Sequence, residues 1–153
     1  MAFGDGRAAA SVMVNIDVQA VGDWAERRGI PYAGYQDLSQ KAPVVDLIRD
    51  CVEKVNADLA ADPKLCGSQI HRFVILHKEL DADDGELTRT RKVRRRFIGE
   101  KYEGIVEALY GESGQCAVEA QVRFEDGRTG TVRAQLAIGH AKTFAPAAAR
   151  SAA

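Results

Sequence analysis

The sequence is poor in the features that mark several common classes of protein. Its three cysteines, Cys51, Cys66 and Cys116, are scattered without a Cys-x-x-Cys or other metal-ligand spacing, so neither a disulfide framework nor a zinc site is indicated. No apolar run approaches the ~20 residues that span a bilayer. The opening Met1 to Arg7 lacks the charged-then-apolar order of a secretory signal, and the chain reads as cytoplasmic. Neither charge is in excess: 21 Lys and Arg face 22 Asp and Glu, a net −1. That argues against a general binder of nucleic acid or anionic membrane, which carries a basic surplus. His71 and His77 stand six residues apart on an expected strand. At ~3.3 Å per residue this separates them by about 20 Å, too far to share a metal ion. His140 has no visible partner, and no metal site is expected.

What is present is the make-up of a folded domain: 153 residues, 46% hydrophobic and 28% charged, enough for one core but not comfortably for two. Residues 8–17 alternate and read as a strand. Val18 to Arg28 carries Val21, Trp24 and Ala25 at helical spacing and stops at Gly29, with Pro31 beyond. Tyr32 to Lys41 reads as a polar connector. From Ala42 to about Ala61, apolar residues recur at three- and four-residue steps and define an amphipathic helix that Asp62-Pro63 ends. Ile70 to Leu76 is short, β-branched and aromatic, a strand; Asp81 to Gly85 is an acidic turn. The next helix is expected from near Thr90 to Leu109, stopped by Gly111. Residues 117–124 and 131–138 alternate about Glu125-Asp126-Gly127-Arg128, a hairpin signature, and the Ala-rich tail after Phe144 is expected to be frayed. The fold class is α+β: a small mixed domain with short strands, about three helices and a C-terminal hairpin.

The unusual local feature is Gly85 to Arg96, where six of the eight residues from Arg89 to Arg96 are cationic. Such a run is usually a solvated helix face. Clustered cations repel one another unless an anion is near, and a nucleotide, CoA or an acidic neighbouring surface would supply one. The run therefore also reads as a phosphate-binding segment.

These residues resemble the adenylate-forming acyl-CoA synthetases, in particular the long-chain branch. Asp84-Gly85-Glu86-Leu87-Thr88-Arg89-Thr90-Arg91-Lys92-Val93-Arg94-Arg95 is similar to the family's last motif, Gly-x-Leu-Thr-x-Thr-x-Lys-x-Arg-Arg. Glu100-Lys101-Tyr102 and the helix to Tyr110 follow as in that family. Similarity extends upstream through Ile70 to Phe73, Val55 to Leu59 and Gly4 to Arg7, covering most of residues 3–110. The sequence departs from the common motif at Arg89, where many members have Pro, and at Arg91, where an apolar residue is frequent.

The resemblance implies that Lys92 is the catalytic lysine that reaches from a mobile lid to the α-phosphate of ATP as a fatty carboxylate attacks. A preorganised ammonium answers the charge that builds there, and losing such a stabiliser costs roughly 10²–10³ in rate. Gly85, Glu86, Leu87, Thr88 and Thr90 are implied as substrate-binding residues around it. Arg89, Arg91, Arg94 and Arg95 are implied as CoA or phosphate contacts, although each of them alone, like Arg96, reads as solvated surface. ATP, Mg2+ and CoA would be substrates or cosubstrates of a complete enzyme, with none bound by this chain alone. The implied partners are an N-terminal adenylation domain of the same enzyme, fatty acid and CoA, with no nucleic acid. Peripheral membrane association of the complete enzyme is compatible with the resemblance.

On this reading residues 3–110 are part of a C-terminal lid that begins inside the lid, 111–144 a hairpin extension and 145–153 a disordered tail. The phosphate loop and acyl tunnel would lie elsewhere, so the chain alone is expected not to form acyl-adenylate. The alternative is a free-standing phosphate- or protein-binding module.

Overall fold

The structure, a computed structural model, describes residues 1–123 and 129–146. The expected turn at Glu125 to Arg128 and the tail from residue 147 onward lie outside them. Five strands form one mixed sheet in the order β1-β2-β3-β5-β4: β1 (Ala2–Phe3), β2 (Ala10–Val14), β3 (Ile70–Ile75), β4 (Gln115–Arg123) and β5 (Thr129–His140). Strand β3 runs parallel to β2 and antiparallel to β5, and β4 and β5 form the expected antiparallel ribbon. The α+β class read from the sequence is the class observed.

Strand β3 is the centre, and its alternation shows why. Phe73 and Ile75 project into one core with α1 (Val18–Glu26), α2 (Tyr35–Gln40) and α3 (Ala42–Ala61). Val74, with Leu76 just beyond the strand, projects into the other, with α4 (Arg95–Lys101) and α5 (Glu103–Tyr110). A strand covered on both faces must be apolar throughout, which explains the continuous run from Phe73 to Leu76. Arg72 is the exception: its two terminal guanidinium nitrogens are satisfied locally, while its buried Nε has no hydrogen-bond partner among the described residues. Its guanidinium donates to the carbonyls of Ala108, Leu109, Gly111 and Ser113 at the end of α5, where the helix dipole favours a cation.

The helices begin where the chemistry allows. Asp17 caps α1, its Oδ1 accepting from the N–H groups of Gln19 and Ala20 at 3.0 and 2.9 Å. Fully buried Asn56 on α3 donates to the carbonyls of Ile70 and Lys142 and accepts from Ile70 N–H, all within 2.9 Å. One amide thereby joins α3, the start of β3 and the chain leaving β5.

Three expectations need correction. The connector Tyr32 to Lys41 contains α2, a helix with a single deeply buried apolar residue, Leu38, too few to produce a periodic signal. The helix expected from Thr90 starts at Arg95, because Thr88 to Val93 commits its backbone to a tight loop. It also breaks at Tyr102, which separates α4 from α5. Finally, His77 lies beyond the end of β3, buried edge-on against Tyr102, while His71 on the strand is exposed. Among the described residues no helix is long and apolar enough to cross a membrane.

Gly139 on β5 faces Phe73 on β3, and a Cβ placed there would stand 2.2 Å from the phenyl ring of that 1%-exposed residue. Gly139→Ala is expected to destabilise the fold by about 1–3 kcal/mol through overpacking, read as a lower denaturant midpoint. An unchanged midpoint would contradict this account of the β3–β5 contact.

Candidate functional site

Between β3 and α4 the chain makes two consecutive turns. In the first, Asp81 organises the acidic loop: its Oδ1 accepts from Asp83 N–H, and its carbonyl accepts from Glu86 N–H at 2.9 Å and Leu87 N–H at 3.2 Å. Gly85 sits there at φ +72°, a left-handed conformation suited to glycine. The second turn is a short hairpin closed by a bridge between Leu87 and Val93. Thr88 N–H donates to Lys92 C=O and Arg91 N–H to Thr88 C=O, each at 2.8 Å, and Lys92 N–H donates to Thr88 Oγ1 at 3.0 Å. Arg91 adopts φ +59°, the left-handed position that such three-residue turns require and that glycine usually fills.

The base of this hairpin is anchored by Glu86, whose side chain is 0% exposed. Its Oε1 accepts from Tyr102 OH at 2.5 Å and pairs with Lys101 Nζ at 2.8 Å; its Oε2 accepts from Lys78 Nζ at 2.9 Å and Asp81 N–H at 2.8 Å. A carboxylate offers about four acceptor directions, and each here has a donor. Asp84 bridges the same two lysines and balances their charge. Burial pushes the Glu86 pKa up, but the bonds from Lys101, Tyr102, Asp81 N–H and Lys78 outweigh it and hold it at about 2. Burial and the Glu86 charge push the Tyr102 phenol up. Beside them His77 is held below its ordinary value by burial and by the Lys78 charge, and its Nδ1 has no hydrogen-bond partner.

The sequence-derived site residues thus separate into an interior and a display. Glu86 is interior and Leu87 half-buried, Gly85 and Thr88 shape the backbone, and the exposed Thr90 shares a hydrogen bond with Thr88, Oγ1 to Oγ1 at 3.1 Å. Arg94 is exposed but folds back onto the loop, donating to Gly85 C=O at 2.8 Å with its guanidinium 4.9 Å from the centre of the Phe97 ring. Arg96 pairs with Glu100 along α4. Arg89, Arg91, Lys92 and Arg95 are exposed, and among the described residues their side chains have no hydrogen-bond or ion-pair partner. Lys78, Lys101 and Tyr102 are the members that sequence reasoning missed, because no periodicity places them beside Glu86. Among the described residues no group of three or more His, Cys, Asp or Glu could hold a metal ion.

Two outcomes test this geometry. Because the folded-state pKa of Glu86 is depressed, its contribution is complete above its ordinary value of 4.5 and is lost as pH falls towards about 2. Glu86→Gln should flatten the corresponding part of the stability–pH profile and, by leaving two lysines with Asp84 as their one remaining carboxylate, weaken the fold at pH 7. A mutant profile parallel to the wild type between pH 4.5 and 2 would refute the assignment. At the tip, Arg91→Gly should be neutral or stabilising by up to about 1 kcal/mol, whereas Arg91→Val should cost about 1–2 kcal/mol. Equal denaturant midpoints for the two variants would argue against the left-handed turn.

No protein-family model matches the chain, and no solved structure does. Curated proteins do. The "Putative fatty-acid–CoA ligase fadD11" of Mycobacterium tuberculosis is 34% identical over 110 residues, covering 72% of this chain and 18% of the relative. The long-chain-fatty-acid–CoA ligase FadD15 of the same organism is 28% identical over 110 residues, 71% of this chain and 18% of the relative. The long-chain-fatty-acid–CoA ligase ACSBG1 of Rattus norvegicus is 29% identical over 103 residues, 66% of this chain and 14% of the relative. The chain spans less than a fifth of the length of these relatives. It is therefore a homologue of the long-chain fatty-acid–CoA ligases, related to them over one segment of their length.

Proposed function

We propose that this chain is the C-terminal lid portion of an AMP-forming long-chain fatty-acid–CoA ligase, with Lys92 as the catalytic lysine. The observation that carries the reading is the state of Lys92: its backbone is fixed by two hydrogen bonds to Thr88, while its side chain is exposed and, among the described residues, without a partner. A cation held this way is available to an anion on another domain and needs little reorganisation to meet it. Homology to fatty-acid–CoA ligases over this part of the chain supports the same reading.

In the proposed reaction a fatty carboxylate oxygen bonds to the α-phosphorus of Mg-ATP, the bond to the bridging oxygen breaks, and pyrophosphate leaves. The Lys92 ammonium offsets charge on the non-bridging α-phosphoryl oxygens during that step. The thiolate of CoA then attacks the acyl carbon of the adenylate and AMP departs. The lid would work with an N-terminal adenylation domain that binds ATP and fatty acid. Gly85, Glu86, Leu87, Thr88 and Thr90 shape and hold the hairpin, and the exposed Arg89, Arg91 and Arg95 would meet CoA or nucleotide phosphates.

In the complete ligase, Lys92→Ala should reduce fatty-acid-dependent ATP–pyrophosphate exchange by roughly 10²–10³. Thioester formation from supplied acyl-adenylate should change by only a few-fold. Equal losses in both half-reactions would overturn the division of labour, and exchange catalysed by the isolated chain would overturn the lid assignment.

A further inference from the structure

We propose that His77 is a built-in acid sensor: when its imidazole gains a proton, the base of the hairpin that displays Lys92 comes loose. The ring lies just beyond β3 and is 6% exposed. Among the described residues its buried Nδ1 has no hydrogen-bond partner. A neutral imidazole tolerates that position, because one of its nitrogens is an unprotonated acceptor. The imidazolium carries N–H on both nitrogens, so protonation in place would bury a charged donor with nothing to receive it.

The surroundings offer no compensating charge. The charged and titratable groups that face the ring are Lys78 beside it in the chain, Glu86 at the hairpin base, Lys101 at the end of α4 and Tyr102 at the junction with α5. The two ammonium groups already share two carboxylates, Glu86 and Asp84, so a third cation at His77 is unmatched. Nor does the Tyr102 ring supply the missing partner. Its centre is 6.5 Å from that of His77, beyond the ~6 Å at which a cation gains from a ring face, and the Lys101 ammonium already lies 5.7 Å from it. Burial first, and then the Lys78 charge, lower the imidazole from its ordinary value of 6.5; Glu86 opposes them and Lys101 adds to them. Solvating an imidazolium requires the covering elements to part, and these are the elements that Glu86 ties together. Tyr102, edge-on to the ring, donates to Glu86 Oε1, and Lys78 donates to its Oε2. Because the folded-state value is depressed, the stability held by neutral His77 is whole above 6.5 and is lost as pH falls below it, well before the Glu86 contribution begins to go at 4.5. The inference does not rest on the ligase reading, since it concerns the order of the hairpin in this chain alone.

Amide hydrogen exchange of the full chain, corrected for its intrinsic pH dependence, provides the test. From pH 6.5 to about 5.5, opening of the bonded N–H groups of Glu86, Leu87 and Arg94 should grow by up to about tenfold per unit, the slope of one proton taken up. The His77 imidazole signal, followed by NMR in the same samples, should titrate below 6.5. His77→Phe, which fills the site with a ring that cannot charge, should remove the slope. His77→Gln should remove it as well, even where it lowers protection at every pH. The N–H groups of Val52 and Asn56 on α3 should open less readily than the three at the hairpin base. Wild-type exchange at the base that stays flat over this range, or a His77 titration at or above 6.5, overturns the proposal without recourse to a variant. A slope that survives both substitutions assigns the proton to another group, and equal opening at α3 and the hairpin base makes the event unfolding of the whole domain; either refutes the sensor.

Discussion

A carboxylate with no exposed surface is tolerable only when every direction in which it can accept a hydrogen bond is filled. Glu86 meets that condition with donors from two separate stretches of chain: Lys78 and the Asp81 N–H before the hairpin, Lys101 and Tyr102 at the junction of α4 and α5. The loop that displays the cationic residues is therefore tied at its base to both the strand side and the helix side of the fold. Removing the carboxylate would leave two ammonium groups facing one remaining carboxylate, the exposed Asp84. The base of the hairpin and the junction between the two helices are joined through this one anion.

The same segment contains opposite solutions to the problem of charge. Near Glu86, cations and anions are matched around one fully buried carboxylate. A few residues away, Arg89, Arg91 and Lys92, on a turn that holds Arg91 in a backbone conformation more natural to glycine, and Arg95 at the start of α4 are exposed and without partners among the described residues. A rigid base with an unsatisfied tip is the arrangement expected of a binding loop on a stable scaffold, since recognition is concentrated where the fold does not consume its own polar groups. The near-zero net charge of the whole chain conceals this separation completely.

The legible parts of the fold were those with a long regular signal. The period of α3 and the alternation of β4 and β5 follow from single faces meeting single cores, so position in the sequence translates directly into position in space. The short helix α2 escapes because Leu38 alone cannot establish a period. The hairpin at Thr88 to Val93 escapes because Val93, Phe97 and Ile98 fall at helical spacing, although Val93 is paired across a turn with Leu87. Within the site, the motif singled out Lys92 and its neighbours as residue types, and their exposure is compatible with that reading. It gave no sign that Glu86 points inward, because burial here is decided by Lys78, Lys101 and Tyr102, contacts with no local signature. Arg72 illustrates the same limit: a charged residue in an apolar strand is explained only once the end of α5 lies across it.

The position of β3 governs how the chain can assemble. Its pairing with β2 joins Val12 to Phe73, and its pairing with β5 joins Arg72 to His140, so each closes a loop of roughly sixty residues or more. Helix α3 and the β4–β5 ribbon are made of near-neighbour contacts and can form without waiting for such closures. The central strand is thus the last major element to gain its full set of partners, and the two cores cannot be completed independently of each other. Folding should accordingly behave as a single cooperative event whose speed is set by chain closure around β3, placing this small domain among the slower mixed α/β folders for its size.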